Sequence, residues 1–245
     1  MSKGVKKRFL DPGFLQTFES ATSSNDFIYN FLSCLTPERY GEIFGFLLND
    51  DVETFFRSCW EKAPCHFKRN LNERVFFGDL LSRKSFVKIV KGNSLPYEEN
   101  FKILKYDGND RVLFDTSGST YPQKTDIQTM FSDGYTVQFF QPQRYSDGLF
   151  YINASFERYF QSLAGASAYL TPRKTQGLAP HYDDVEVFIL QTEGSKTWYL
   201  WPSPLLLSET HSQSIPRDRL PKGMVSLSIT VTNNCIKNQD NMCKW

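Results

Sequence analysis

A histidine and an aspartate stand two positions apart in the run Gly-Leu-Ala-Pro-His-Tyr-Asp-Asp at residues 177–184. On an extended backbone, side chains at i and i+2 point to the same side. His181 and Asp183 therefore offer an imidazole nitrogen and a carboxylate oxygen on one face. These are two thirds of the 2-His-1-carboxylate set that holds non-haem Fe(II) and leaves positions open for oxygen and a co-substrate. Taken alone, such a tripeptide fits a hydrogen-bonded surface pair equally well. Its context favours a metal: the pair follows a glycine-containing loop, begins a strand-like run and precedes a lysine on the next strand.

That lysine is Lys196. A dicarboxylate that chelates a metal at one end leaves its second carboxylate pointing away, and a cation inside the fold would hold it by a charge-assisted bond. Tyr169 offers a second donor through its hydroxyl. The plainer readings are a solvent-facing lysine after a turn and a tyrosine packed in the core.

The elements that must position these groups are legible as periodicities. Phe55, Phe56, Cys59 and Trp60 form the apolar face of a helix capped by Asp50 or Asp51 and ended by Pro64. A second helix covers 85–90 and ends at Gly92. Residues 101–114 read as a hairpin turning at Asp107-Gly108. A short helix at 126–131 closes at Asp133-Gly134, and Tyr135, Val137 and Phe139 alternate as a strand. Leu149, Ile152, Phe156, Phe160 and Leu163 recur at helical spacing up to Gly165. From there the pattern is strand: 168–171, the ligand segment, 185–191, and 197–201 after the turn at 192–195. The division expected is a partly helical lead-in at 1–50, a core at 51–223 and a divergent, poorly ordered tail at 224–245, whose first half reads as one strand.

The 245 residues suit one large domain, and 16% aromatic content with 22 Phe favours a sheet-rich, aromatic-packed interior. A net charge of +1 does not select a polyanionic partner. No apolar run is long enough to cross a bilayer. Cysteines at 34, 59, 65, 235 and 243 have no framework spacing and read as reduced thiols. Lys3, Lys6, Lys7 and Arg8 form a basic cluster that suits a nuclear address or an ordinary solvated terminus.

Residues 177–191 with Glu193-Gly194-Ser195-Lys196-Thr197-Trp198 resemble the JmjC-domain ribosomal oxygenases. So do Gln138-Phe139-Phe140-Gln141-Pro142-Gln143-Arg144 and Ala168-Tyr169-Leu170-Thr171-Pro172. The resemblance runs from about Val52 to about Leu220. It implies a mostly β fold with flanking helices, built on a double-stranded β-helix of the jelly-roll, cupin-like kind. It implies Fe(II), with 2-oxoglutarate and O2 as co-substrates, and hydroxylation of a histidine of a ribosomal protein in the nucleus or nucleolus. Demethylation of lysine on histone H3 is implied as a further activity. By resemblance His181 and Asp183 are the metal ligands, Lys196 and Tyr169 bind the distal carboxylate of 2-oxoglutarate, and Gln138, Gln141 and Arg144 lie near the substrate groove.

The chain departs from that pattern after about Leu220. The family's third ligand, a later histidine, follows a Pro-Gly-Asp turn and a Pro-Arg-Gly loop, and this sequence has neither. Its other histidines are His66, far upstream, and His211, in what reads as a surface loop. Cys235, Asp240 and Cys243 match no metal-site spacing. The expectation is a C-terminally truncated form with an incomplete barrel and without the family's dimerisation region. The alternative function is a substrate-binding fragment that lacks a working metal site.

Overall fold

The computed structural model describes residues 40–48, 51–67, 78, 80–122, 124–201, 214–220, 227–232, 235–238 and 242–244. The basic cluster at Lys3, Lys6, Lys7 and Arg8, together with Cys34, His211 and Asp240, lies outside the described residues.

In chain order the elements are α1 (Tyr40–Leu48), α2 (Val52–Ser58), β1 (Cys65–Phe67), α3 (Arg83–Gly92), β2 (Phe101–Tyr106), β3 (Arg111–Leu113), α4 (Lys124–Ser132), β4 (Thr136–Phe140), α5 (Asp147–Phe160), β5 (Ser167–Leu170), β6 (Val187–Leu190), β7 (Ser195–Trp201), β8 (Leu227–Thr232), β9 (Cys235–Asn238) and β10 (Met242–Lys244). They form antiparallel sheets in the orders β3-β2-β4-β5, β1-β9-β6 and β10-β7-β8. No described helix is long and apolar enough to cross a membrane.

Local chemistry sets the element ends. Asp51 Oδ2 accepts from the backbone N–H and the hydroxyl of Thr54, both at 2.8 Å. These bonds cap α2 and hold the Asp51 carboxyl below the usual carboxylate range. Ser82 and Ser85 form a reciprocal capping box at the start of α3. The hairpin forms where the sequence places it: Asp107 Oδ1 accepts from the N–H groups of Asn109 and Asp110 at 2.8 and 2.9 Å, and Gly108 takes the positive φ. Two helices end earlier than their periodicity suggests. α5 stops where Gln161 turns left-handed at φ 52°, so Leu163 is exposed rather than part of the helix face. α2 stops at Ser58 because the chain winds into a tight turn, with Lys62 N and Ala63 N both bonded to Cys59 O.

That turn corrects the reading of all cysteines as reduced. Cys59 and Cys65 form a disulfide with Cα atoms 6.0 Å apart, within the span that such a bridge requires. The turn between the end of α2 and the start of β1 folds back and brings together two residues whose spacing carried no signal.

The core has two parts. Phe101 and Ile103 of β2 and Val137 and Phe139 of β4 pack under Phe86 of α3, Met130 of α4, Leu149 and Ile152 of α5, and Ile43, Phe46 and Leu47 of α1. The second part is aromatic and centres on Phe44, which has no exposed surface. Its ring lies 5.1 to 5.7 Å from those of Phe55, Phe156, Tyr159, Phe160 and Phe188. Phe44 thereby joins α1, α2 and α5 to β6. The segment expected to be a poorly ordered tail contributes backbone to β8, β9 and β10, so β7 is paired on both edges and β9 lies between β1 and β6. The described residues thus form antiparallel sheets, with helices packed on β2, β4 and β6.

Phe44→Ala removes the ring that all these contacts share. It is expected to cost about 3–5 kcal/mol, measured as a shift in the urea unfolding midpoint, whereas Phe44→Leu costs under about 1.5 kcal/mol.

Candidate metal and co-substrate site

The site grows from the face of β4 and β5 opposite the helices. Val137, Phe139, Ala168 and Leu170 point to the core. Period-two alternation then sends Thr136 and Gln138 of β4, and Tyr169 with Thr171 just beyond β5, to the other face. Gln138 and Tyr169 are direct partners in the register, and Gln138 Nε2 donates to the Tyr169 hydroxyl at 2.9 Å. Thr136 Oγ1 donates to Thr171 Oγ1 at 3.2 Å.

Lys196 reaches this face from β7, in a different sheet, and its ammonium donates to Thr171 Oγ1 at 3.1 Å. The residue keeps some surface, yet its surroundings desolvate the ammonium and pull its pKa down to about 7. The nitrogen also lies 5.6 Å from the ring centroid of Trp198, a contact that offsets part of this cost. Burial, with a smaller contribution from the charge of Asp183, pushes the Tyr169 phenol up to about 12. Tyr169 therefore stays protonated and able to donate.

The loop from Thr171 to His181 packs against β4 at Thr136. Gly177 crosses directly over Thr136: a Cβ there would lie 2.6 Å from Thr136 Oγ1. A strap at 214–217 fastens the loop, with Ile215 N–H donating to Pro180 O at 2.8 Å and Arg217 Nη2 donating to Gln176 Oε1 at 3.0 Å. His181 Nδ1 lies 2.8 Å from Ala179 O. A carbonyl only accepts, so Nδ1 carries a proton, and in the neutral ring Nε2 is then the nitrogen that a metal would take. This is the tautomer of a metal-ligating histidine, fixed by the bond at its other nitrogen.

His181 Nε2 lies 3.9 Å from Asp183 Oδ1. That is too long for a hydrogen bond. A divalent cation takes one nitrogen and one oxygen donor of this kind. The donor set, one oriented imidazole and one carboxylate, fits such a cation. No third His, Cys, Asp or Glu joins the pair among the described residues. His66 lies in β1, paired with Ile236.

The structure bonds Gln138 to Tyr169 and Lys196 to Thr171, sets His181 3.9 Å from Asp183, and puts Asp183 near enough for its charge to act on Tyr169. Gln141 and Arg144 sit apart, on the exposed turn after β4, where Gln141 takes a left-handed φ of 49° and its N–H donates to Ala166 O. The sequence reading missed the roles of Thr136 and Thr171. Their signal was available: Thr136 is two positions from Gln138 on β4, and Thr171 is two positions from Tyr169, just past β5.

A family model described as the JmjC domain matches residues 138–236. Ribosomal oxygenase 2 of Rattus norvegicus is 35% identical over 193 residues, which are 78% of this chain and 41% of that protein. The bifunctional lysine-specific demethylase and histidyl-hydroxylase NO66 of Culex quinquefasciatus is 34% identical over 158 residues, 64% of this chain and 24% of that one. Among solved structures, YcfD, a ribosomal oxygenase from Escherichia coli in complex with cobalt and 2-oxoglutarate, superposes with a TM-score of 0.50 at 15% identity, covering 80% of this chain and 48% of that one. This likeness establishes the fold. The chain spans less than half the length of the curated relatives it matches.

Two outcomes follow from the geometry. Gly177→Ala forces Thr136 or the loop to move and is expected to cost about 1–3 kcal/mol in chemical denaturation, a loss that a second change, Thr136→Ala, relieves. Lys196 also imposes a pH dependence on stability. Its folded pKa, near 7, lies below the unfolded value, so the unfolded chain binds more protons across the window from about 7 to about 10.5. Stability from this group therefore rises with pH through that window and is flat below it. Lys196→Met removes the slope, so the variant's advantage in urea titrations shrinks with rising pH by up to about 1.4 kcal/mol per unit.

Proposed function

The chain is a JmjC-domain protein of the ribosomal-oxygenase type, and from that premise we propose that it is an Fe(II)- and 2-oxoglutarate-dependent protein oxygenase. The observation that carries this reading is a pair of complementary chemistries, one on the segment that leads into β6 and one contributed by β5 and β7. An oriented imidazole with a carboxylate stands at one point, and a desolvated ammonium with a protonated phenol stands at another. An acid bearing a chelating 2-oxo carboxylate at one end and a plain carboxylate at the other matches both.

In this reading His181 and Asp183 hold the metal, and Ala179 O keeps the imidazole in the ligating tautomer. Lys196 and Tyr169 take the far carboxylate. Gln138 steers Tyr169 by donating to its oxygen. Binding an anion beside Lys196 favours the charged ammonium, so a proton is taken up on binding above about pH 7. Bound at this pair, Fe(II) supplies O2-dependent oxidation in which 2-oxoglutarate becomes succinate and CO2, one oxygen atom going to the substrate and the other to succinate. The chain's own groups hold the dicarboxylate in a single pose and keep water from the ammonium.

The substrate we assign is a histidine side chain of a ribosomal protein, with methyl-lysine of histone H3 as a second class. Gln141 and Arg144, on the exposed turn, are assigned to its binding by the resemblance alone. Support comes from the relatives' names, which include histidyl-hydroxylase and lysine-specific demethylase. The same reading places the protein in the nucleus or nucleolus.

The test incubates the purified chain with Fe(II), 2-oxoglutarate and histidine-containing ribosomal-protein peptides, and measures succinate together with the mass gain of one oxygen on the peptide. Succinate that depends on peptide and vanishes in His181→Ala supports the proposal. Succinate no higher than in that variant overturns it. Lys196→Ala is expected to weaken 2-oxoglutarate at least about tenfold, the usual loss for a hydrogen bond to a charged group. Calorimetric titration with Mn(II) in place of Fe(II) reads this directly.

A further inference from the structure

Thr171 Oγ1 receives two hydrogen bonds, one from the Lys196 ammonium at 3.1 Å and one from the Thr136 hydroxyl at 3.2 Å. A hydroxyl has two acceptor positions and one hydrogen. Both acceptor positions of Thr171 are therefore used, and its own hydrogen must point elsewhere.

The direction of the Thr136 bond is held by the packing. Thr136 has no exposed surface, so its hydroxyl cannot turn to water. Gly177 presses against it from the loop that leads to His181. Thr136 is also the first residue of β4, whose next positions, Val137 and Phe139, are locked in the core. Tyr169 stands two residues before Thr171 on the same face. The Thr171 hydrogen thus belongs to the same polar face as the Tyr169 phenol and the Lys196 ammonium.

We propose that Thr171 is a positioning residue for the co-substrate: held as an acceptor by Thr136, it fixes the Lys196 ammonium and directs its own hydrogen at the far carboxylate of the bound dicarboxylate. This rests on the proposed function and adds to it a residue that acts through Lys196. It also links the two halves of the site. The Gly177 loop that carries His181 bears on Thr136, and Thr136 sets the polarity of the hydroxyl that holds the cation.

The test uses Thr171→Val, which keeps the shape and removes the hydroxyl, and Thr171→Ser, which keeps the hydroxyl. Binding of 2-oxoglutarate with Mn(II) is measured by calorimetry, and the Lys196 ammonium is titrated without ligand by lysine side-chain NMR. Thr171→Val is expected to weaken 2-oxoglutarate about tenfold or more and to lower the Lys196 titration midpoint further, because an acceptor that favours the charged form is gone. Thr171→Ser is expected to stay within about threefold of the unaltered chain and to keep its midpoint. Unchanged binding in Thr171→Val overturns the inference, as does a serine variant as weak as the valine one, which would mark a role in packing alone. An unaltered chain that binds no 2-oxoglutarate overturns the proposed function instead. The ligand-free titration then still decides whether Thr171 holds the ammonium, and an unchanged midpoint in Thr171→Val overturns that.

Discussion

The site depends on the pairing of β4 with β5. Their register sets Val137 against Leu170 and Phe139 against Ala168 on the core face, and Gln138 against Tyr169 on the other. A slip of one residue would turn Phe139 and Val137 away from the helices and drive Gln138 into them. Phe139 and Val137 are almost fully buried, and burying such a side chain contributes about 1.5–3 kcal/mol. The apolar face therefore fixes the register, and the polar face inherits it. The placement of Gln138, Tyr169, Thr136 and Thr171 follows from where their neighbours are buried.

What the inherited face must then support is a desolvated cation. An ammonium in such surroundings loses hydration, and the structure offsets this with a hydroxyl acceptor and an aromatic ring. The offset is incomplete, as the lowered pKa shows. An anion bound beside such an ammonium would favour its charged form. The same argument separates Lys196 from lysines such as Lys102, whose partner Glu98 lies at 3.8 Å on an open surface and whose pairing contributes little.

The sequence was most legible where a single period governs a segment. The hairpin at Asp107-Gly108 and the β4 alternation both follow from spacing within a few residues. It was least legible where distant segments decide. The end of α5 at Gln161 depends on a left-handed residue that is not glycine, and so it was read four residues late, at Gly165. The Cys59–Cys65 bridge depends on a turn of the chain and carries no spacing signature. Thr136 on β4 and Thr171 just past β5 are ordinary threonines until β7 delivers Lys196 to the Thr171 hydroxyl. The backbone of β9 and β10 pairs with β1, β6 and β7 although its residues show no two-residue period, because pairing uses main-chain groups that every residue carries.

The exposure of the site is uneven, and this bears on how it would work. The side chain of His181 keeps 11% of its surface, and that of Asp183 keeps 45%. The neighbouring Asp184, Val185 and Glu186 are exposed as well. Lys196 and Tyr169, by contrast, lie where burial governs their ionisation. On the proposed function, a dicarboxylate would lie lengthwise, with its plain carboxylate inside and its chelating end at the mouth. Oxidation at the mouth suits a substrate too large to enter, because a protein side chain needs to reach only the outer rim. It also explains why the inner groups need a fixed polarity. A dicarboxylate held at its far end by Lys196, Tyr169 and an oriented Thr171 has little freedom left at its near end, and that end must meet His181 and Asp183 in one geometry.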